Sequence, residues 1–173
     1  MNSGYFISFE GIDGAGKSTH IDRFCKLMQD RHPDREVVVT REPGGTALGK
    51  SIRELLLHGE HVDARAEALL YAADRAHHVF SVIRPALANG DVVITDRYFD
   101  SSIAYQGAGR NLGTDKIEEL NLWVTNGLQA DFTIILDVEP EHGLSRVADP
   151  NRIEEESADF HSVARKAFLE RAK

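Results

Sequence analysis

Short apolar runs alternate along the chain with longer segments in which apolar residues recur every three or four positions. The short runs are typical of β-strands buried on both faces, and the longer segments are typical of amphipathic helices. Strands are predicted at about residues 5–10, 36–40, 92–95 and 132–136. Helices are predicted at about residues 17–31, 47–58, 63–89, from 99, at 114–129 and at 154–173. The alternation predicts one α/β domain, a parallel β-sheet flanked by helices on both faces.

The longest predicted helix, at about 63–89, carries one broad apolar stripe that includes Leu69 and Phe80. The dipeptide Asn89-Gly90 is expected to end it, because glycine readily adopts the left-handed conformation that follows many helices. We expect the stripe to be buried. It contains more apolar surface than one face of a sheet covers, which favours a homodimer formed across helices.

Composition narrows the class of protein. The 173 residues support one domain, 1–173, and 42% of them are hydrophobic. A net charge of −8 disfavours a broad nucleic-acid-binding face, which needs massed Lys and Arg. The single cysteine, Cys25, excludes an internal disulfide and a multi-cysteine zinc site. Neither a membrane-spanning run nor a secretory signal is recognisable, so we expect a cytoplasmic protein without a membrane partner.

A glycine-rich segment follows the first predicted strand. Residues 11–18 read GIDGAGKS and fit the P-loop pattern G-x-x-x-x-G-K-[ST] at the start of a predicted helix. Glycines allow successive backbone N–H groups to point at phosphate oxygens, while Lys17 can reach the β- and γ-phosphates and Ser18 can bind Mg²⁺. The sequence therefore predicts ATP and Mg²⁺ binding by Gly11, Gly14, Ala15, Gly16, Lys17, Ser18 and Thr19.

A second anion site is indicated where the third strand ends in Asp96 and Arg97. An acid at the carboxyl end of a strand beside a P-loop can hold Mg²⁺, and an adjacent arginine can bind a phosphate through two hydrogen bonds. Asp137 also ends an apolar strand, but it has no adjacent arginine, so Asp96 is preferred. Tyr71 and Arg75 lie four residues apart on one helix face, where they could contact an aromatic base.

A P-loop alone does not choose among nucleotide-binding proteins. The guanine-binding pattern N-K-x-D of GTPases is missing from the sequence, and the basic residues outside the P-loop suggest a second phosphate site. Three interpretations remain: a nucleoside monophosphate kinase, another P-loop small-molecule kinase, and a nucleotide-binding protein with weak turnover.

Several motifs in one order resemble the thymidylate kinase family. They are the P-loop with Asp13, REPGGT at 41–46, LYAADR at 70–75, DRY at 96–98 and SSIAYQG at 101–107. The resemblance spans about residues 5–170 and implies a P-loop fold of the nucleoside monophosphate kinase type. It also implies ATP-dependent phosphorylation of dTMP to dTDP with Mg²⁺, and a homodimer.

The resemblance also implies roles for individual residues. Asp13 would hold the deoxyribose 3′-hydroxyl, and Tyr71 would stack on thymine. Arg75 would donate to a thymine carbonyl, and Arg97 would bind the acceptor phosphate. Tyr105 would pack against the sugar. The remaining implied contacts are the base edge for Ser102 and Gln106, the pocket floor for Pro43, and phosphates for Arg41 and Arg110.

In this family a catalytic arginine lies either in the P-loop or in a mobile lid. Gly14 occupies the P-loop position, so the resemblance implies the bacterial type with a lid-borne arginine. The matching lid is at about 145–154, with Arg146 and Arg152 as the catalytic candidates. This segment is shorter than the family's lid, and relatives continue after the last helix. We therefore expect the natural protein to be longer, and an intact mass of 19.2 kDa would contradict this.

Overall fold

A computed structural model describes residues 4–173, and its elements follow the predicted order. The strands are β1 (Tyr5–Glu10), β2 (Val37–Arg41), β3 (Val92–Asp96) and β4 (Phe132–Ile135). The helices are α1 (Lys17–Arg31), α2 (Ala47–Leu57), α3 (Ala64–His78), α4 (Arg84–Asn89), α5 (Phe99–Ser102), α6 (Thr114–Val124), α7 (Pro140–Leu144) and α8 (Ala158–Arg171). Two π-helical segments, Val79–Ile83 and Ile103–Gly109, continue α3 and α5.

The four strands form one parallel sheet in the order β2-β3-β1-β4. Because all strands run the same way, their carboxyl ends lie at one edge. Asp96 at the end of β3 is in register with Phe9 on one side and Arg41 on the other. The P-loop after β1, Arg97 after β3 and the loop after β2 therefore meet at this edge, where ligands bind in open α/β sheets.

Apolar side chains cover both faces of the sheet, as the uninterrupted apolar strands predicted. On one face, Ile7 and Ile94 pack with Ile21 of α1. On the other, Phe6 and Val93 pack in a cluster completed by residues from α3 to α6. The predicted parallel α/β architecture is confirmed.

The long predicted helix is a continuous helical run from Ala64 to Asn89 that includes the first π-helical segment. The predicted burial of its whole stripe is wrong, because Leu69 is 59% and Phe80 is 75% exposed. Phe80 lies inside the π-helical segment, where the wider turn shifts the helical register. Within residues 4–173, we find no helix with the length and apolarity that crossing a membrane requires.

The carboxyl-terminal helix starts later than the sequence suggests. Residues 154–156 lie before α8, whose N-cap is Ser157, with its hydroxyl accepting a hydrogen bond from the Phe160 amide at 3.2 Å. Phe160 and Phe168 of α8 pack against Tyr105 in the second π-helical segment. This contact joins the end of the chain to the edge of the sheet where the P-loop lies.

Candidate active site

The P-loop connects β1 to α1 and lines a cavity of about 510 Å³. Ser18 and Thr19 are exposed in the first turn of α1, whereas Lys17 is buried. The Lys17 ammonium folds back on the loop and donates to the carbonyl oxygens of Gly11 and Ile12 at 3.1 and 2.9 Å. Burial, and next the nearby Arg97 guanidinium, lower the pKa of Lys17 to about 8. Anionic phosphates in the cavity would restore its charge.

Position 14 requires glycine for two reasons, its backbone conformation and the atoms that surround it. Its φ of 73° is left-handed, and a Cβ at this position would lie 1.8 Å from the carbonyl oxygen of Gly143 in α7. Any side chain here would collide with backbone. The P-loop therefore cannot accept an arginine at this position unless α7 moves.

Asp96 has the properties expected of a cation ligand. Its Oδ1 is buried and has no hydrogen-bond partner within residues 4–173, and the side chain lines the P-loop cavity together with Ser18. A buried unpaired carboxylate oxygen beside a hydroxyl fits Mg²⁺, which prefers oxygen ligands. Asp137 is instead exposed and accepts two hydrogen bonds from Arg165, at 2.6 and 2.9 Å.

Arg97 and Asp13 form an ion pair beside the P-loop. The Arg97 Nη2 donates to Asp13 Oδ1 at 2.6 Å, and its Nη1 donates to Gly11 O and Ser101 Oγ, both at 2.9 Å. Burial opposes ionisation of Asp13, but Arg97 and Lys17 outweigh it, so the pKa of Asp13 is lowered. The backbone of Arg97 has a φ of 71°, an uncommon conformation for a non-glycine residue that is often found at functional sites.

A second, inner cavity of about 90 Å³ adjoins the P-loop cavity. It brings together eight of the predicted substrate-binding residues, namely Asp13, Pro43, Tyr71, Arg75, Arg97, Ser102, Tyr105 and Gln106. Tyr105 is fixed by Phe160 and Phe168, and its hydroxyl donates to Asp13 Oδ2 at 3.3 Å. Residues 151, 153 and 154 of the predicted lid complete the wall.

Arg75 is almost completely buried, and the protein uses most of its donors. Its Nε donates to Glu42 at 2.6 Å, and its Nη2 donates to the Tyr98 carbonyl at 3.0 Å. Its Nη1 donates to Ser102 Oγ and to Asn121 Oδ1. These contacts use four of the five N–H groups of a guanidinium. The fifth N–H, on Nη2, has no partner within residues 4–173, and Arg75 lines the inner cavity.

The structure separates the two arginines predicted in the lid. Arg146 lines the P-loop cavity and donates to Gly14 O at 3.1 Å. Arg152 points elsewhere, donating to Glu67 at 2.8 Å and to the Leu56 carbonyl at 3.0 Å. Of the two further arginines predicted at phosphates, Arg41 lines the P-loop cavity, whereas Arg110 is paired with Glu67 and Glu156.

Comparisons with known proteins agree with this geometry. The family profile described as Thymidylate kinase matches residues 9–173. The chain belongs to the thymidylate kinase family. It is 53% identical to the thymidylate kinase of Bifidobacterium longum strain DJO10A, over 98% of this chain and 84% of that protein. It is 50% identical to that of Burkholderia cenocepacia strain HI2424, over 99% and 85%.

A solved structure also matches, the crystal structure of thymidylate kinase from Ehrlichia chaffeensis. The two structures superpose with a TM-score of 0.83 at 35% sequence identity, covering 98% of this chain and 87% of that one. This likeness confirms the fold expected of the thymidylate kinase family.

Three residues of this thymidylate kinase family member were not identified from sequence. Arg53 of α2 lines both cavities and donates to the Pro43 carbonyl at 3.0 Å. Glu42 accepts from Arg75 and, at 2.8 Å, shares a hydrogen bond with the His78 ring. His78 itself is fully buried. No local pattern marks these contacts, because each joins residues distant in sequence.

Proposed function

We propose that this chain transfers the terminal phosphoryl group of ATP to dTMP, giving dTDP and ADP. The observation that carries the proposal is that two cavities share one wall, formed in part by Asp13, Arg53 and Arg97. A donor on the P-loop and an acceptor in the inner cavity would meet at these side chains. Relatives named thymidylate kinase, about 50% identical over nearly the whole chain, support dTMP as the acceptor.

The donor phosphates would lie on the P-loop. Backbone N–H groups of the loop and the amino end of α1 favour anions, and this set comprises Gly11, Gly14, Ala15, Gly16, Ser18 and Thr19. The Lys17 ammonium would leave its carbonyl partners to bind the β- and γ-phosphates. Ser18 and Asp96 would hold Mg²⁺, which, when bound, neutralises phosphate charge and orients the transferring group.

The acceptor nucleotide would place its base in the inner cavity and its phosphate toward the P-loop cavity. Tyr71 would contact the ring face, and the free N–H of Arg75 would donate to a ring carbonyl. The other assigned contacts are the base edge for Ser102 and Gln106, the floor for Pro43, the sugar for Tyr105, the 3′-hydroxyl for Asp13, and the phosphate for Arg41, Arg53 and Arg97.

The chemistry needs no general base. An oxygen of the dTMP phosphate, already anionic, attacks the γ-phosphorus of ATP, and the bond from that phosphorus to the β–γ bridging oxygen breaks as ADP leaves. Catalysis then comes from positioning and from charge neutralisation. Lys17, Arg97 and Arg146, which line the P-loop cavity, would supply this charge, whereas Arg152 does not line that cavity and donates to Glu67.

A homodimer is proposed from exposed apolar side chains. Leu69, Phe80 and Trp123 are 59%, 75% and 78% exposed, and a second copy of the chain packed over them would bury these large apolar groups. Sedimentation analysis tests the dimer, and a monomer at micromolar concentration would contradict it. The cytoplasmic location and the lack of nucleic-acid and membrane partners stay predictions.

Release of ADP from Mg-ATP, measured with dTMP, dUMP, UMP, CMP and AMP, tests the function. We expect strong preference for dTMP, and a lack of acceptor-dependent turnover would contradict the proposal. Preference for another acceptor would favour a different nucleoside monophosphate kinase, an alternative that the relatives do not support. Arg97→Ala should nearly abolish turnover while ATP binding persists, and Arg165→Ala, at an exposed ion pair, is the matched control.

A further inference from the structure

Glu67 of α3 is a fully buried carboxylate behind the inner cavity, outside its lining. Donors surround it on both oxygens. Gln106 Nε2 donates to Oε1 at 2.9 Å, Arg110 donates to both oxygens at 3.1 Å, and Arg152 donates to Oε2 at 2.8 Å. The proposed reaction does not use this residue directly.

The surroundings of Glu67 keep it ionised. Burial alone would raise the pKa of the carboxyl group, but hydrogen bonds from Arg110, Gln106 and Arg152 outweigh burial and lower the pKa. An ionised carboxylate only accepts hydrogen bonds. Whatever faces Glu67 must therefore present an N–H or O–H group.

This requirement determines which way the side-chain amide of Gln106 turns. The two branches of a glutamine amide have nearly the same shape, and their hydrogen-bond partners decide between them. Glu67 accepts from the nitrogen, so the oxygen lies on the branch directed away from Glu67. Gln106 lines the inner cavity, and its oxygen is therefore available as an acceptor to a ligand there.

Arg75 supplies the complementary group. Arg75 lines the same cavity, and its fifth N–H, which has no partner within residues 4–173, would be a donor to a ligand there. A donor from Arg75 and an acceptor from Gln106 match a base edge that carries a carbonyl beside a ring N–H, as thymine and uracil do. Cytosine presents the reverse, an amino donor beside an unprotonated ring nitrogen.

We propose that Glu67 is a positioning residue for base discrimination, which fixes the Gln106 amide with its oxygen toward the acceptor base. The inference rests on the proposed function and deepens it. Glu67 does not touch the substrate and acts through Gln106. The two hydrogen bonds from Arg110 hold the carboxylate ionised and in place, so this buried pair serves specificity as well as stability.

Steady-state kinetics of Glu67→Gln with dTMP and with dCMP test the proposal. A neutral amide at position 67 can donate or accept a hydrogen bond. The Gln106 side-chain amide can therefore flip, so that its oxygen and nitrogen exchange places. We expect the ratio of kcat/KM for dTMP to kcat/KM for dCMP to fall at least 10-fold, with KM for ATP changed less than twofold. Glu67→Asp, which stays an acceptor, should retain most of the discrimination.

Two variants separate this role from general loosening of the cavity. Arg152→Met releases the lid segment but leaves Glu67 bonded to Gln106 and Arg110, so discrimination should stay within threefold of the wild type. Glu36→Gln, at an exposed carboxylate, is the surface control. Unchanged discrimination in Glu67→Gln, or an equal loss in Arg152→Met, would overturn the proposal. A wild type that does not phosphorylate dTMP would instead contradict the proposed function.

If Glu67→Gln does not fold, NMR of the wild-type protein tests the same contact. Gln106→Leu assigns the side-chain NH₂ signals of Gln106. One proton should exchange slowly with solvent, because it is buried in a hydrogen bond to a carboxylate. Exchange of both protons at the rate of exposed amides would overturn the proposal.

Discussion

The P-loop cavity and the inner cavity are built in different ways, although they share a wall. The P-loop comes from one contiguous stretch, and the groups it could offer to a ligand are backbone N–H groups beside the exposed side chains of Ser18 and Thr19. The inner cavity draws on the loop after β2, on α2, α3 and α5, on the second π-helical segment and on residues 151, 153 and 154. Its polar groups are buried side chains already bonded to one another, as Arg75 is to Glu42.

This difference has energetic consequences. Backbone groups keep their positions when a nearby side chain changes, so substitutions on the P-loop side should alter activity more than folding. A buried ion pair behaves differently, because removing one partner leaves an uncompensated charge in the interior. Substitutions behind the inner cavity should therefore reduce stability and acceptor binding together.

Arg75→Met should give the largest effect on folding. Loss of the guanidinium leaves Glu42 buried with only the His78 ring at its carboxylate, and breaking a buried pair typically costs about 3–5 kcal/mol. Urea unfolding at neutral pH measures the loss. Arg165→Met, whose ion pairs are exposed, is the matched control and should change stability little. A loss for Arg75→Met no larger than for the control would contradict the contrast between the two cavities.

Lys17→Met should lower turnover strongly with little effect on folding. Removing one preorganised group that stabilises transition-state charge typically lowers kcat about 100- to 1,000-fold. Since burial lowers the pKa of Lys17, its loss should not reduce the free energy of unfolding at pH 7. ADP release and urea unfolding of the same preparation check both statements. A variant destabilised as much as Arg75→Met would show that the P-loop side also depends on buried side chains.

The same contrast explains what could be predicted from sequence. The P-loop could be recognised from sequence because residues 11–18 are contiguous and lie between a predicted strand and a predicted helix. The strands and the parallel sheet followed from short apolar runs, which are a local property. Leu69 and Phe80 were misjudged because the period of the stripe does not reveal which part meets the sheet and which part remains exposed.

The positions of charged side chains behind the inner cavity could not be predicted from neighbouring residues in the sequence. Glu67 and Arg152 are 85 residues apart, and Arg75 and Asn121 are 46 apart. The family resemblance pointed to Arg75, Ser102 and Gln106 at the inner cavity, but not to the groups that hold them. It also offered Arg146 and Arg152 as equals, and only the fold shows that Arg146 alone of the two lines the P-loop cavity.

Proton uptake on nucleotide binding tests the charge state of Lys17 in the P-loop cavity. Lys17 has a pKa of about 8 in the free protein, lowered from 10.5, so about half of it is neutral at pH 8. Bound phosphates favour the charged form, and Mg-ATP binding at pH 8 should therefore take up about half a proton. Calorimetry in two buffers of different ionisation enthalpy measures this uptake. Uptake should be near zero at pH 6 and lost in Lys17→Met, and equal uptake at both pH values would contradict the assignment.

The smallest expected effect concerns Glu10 at the end of β1, whose hydrogen-bond partner Ser101 lines the inner cavity. It is fully buried and accepts hydrogen bonds from the Tyr98 amide at 2.7 Å and the Ser101 hydroxyl at 2.5 Å. Burial, and next the charge of Asp100, raise its pKa to about 7 from 4.5. A raised pKa in the folded state means that its contribution to stability is complete below pH 4.5 and is lost as the pH rises through 7.

Glu10→Gln keeps an acceptor for Tyr98 and removes this titration. The Tm of the variant relative to the wild type should therefore be higher at pH 8 than at pH 5. The expected difference is at least about 2 °C, the change that about 1 kcal/mol produces in a domain of this size. Thermal unfolding at the two pH values measures it, with Glu36→Gln as the exposed control. A Tm difference that is the same at both pH values would mean that Glu10 is ionised throughout, and that this buried carboxylate does not titrate between pH 5 and pH 8.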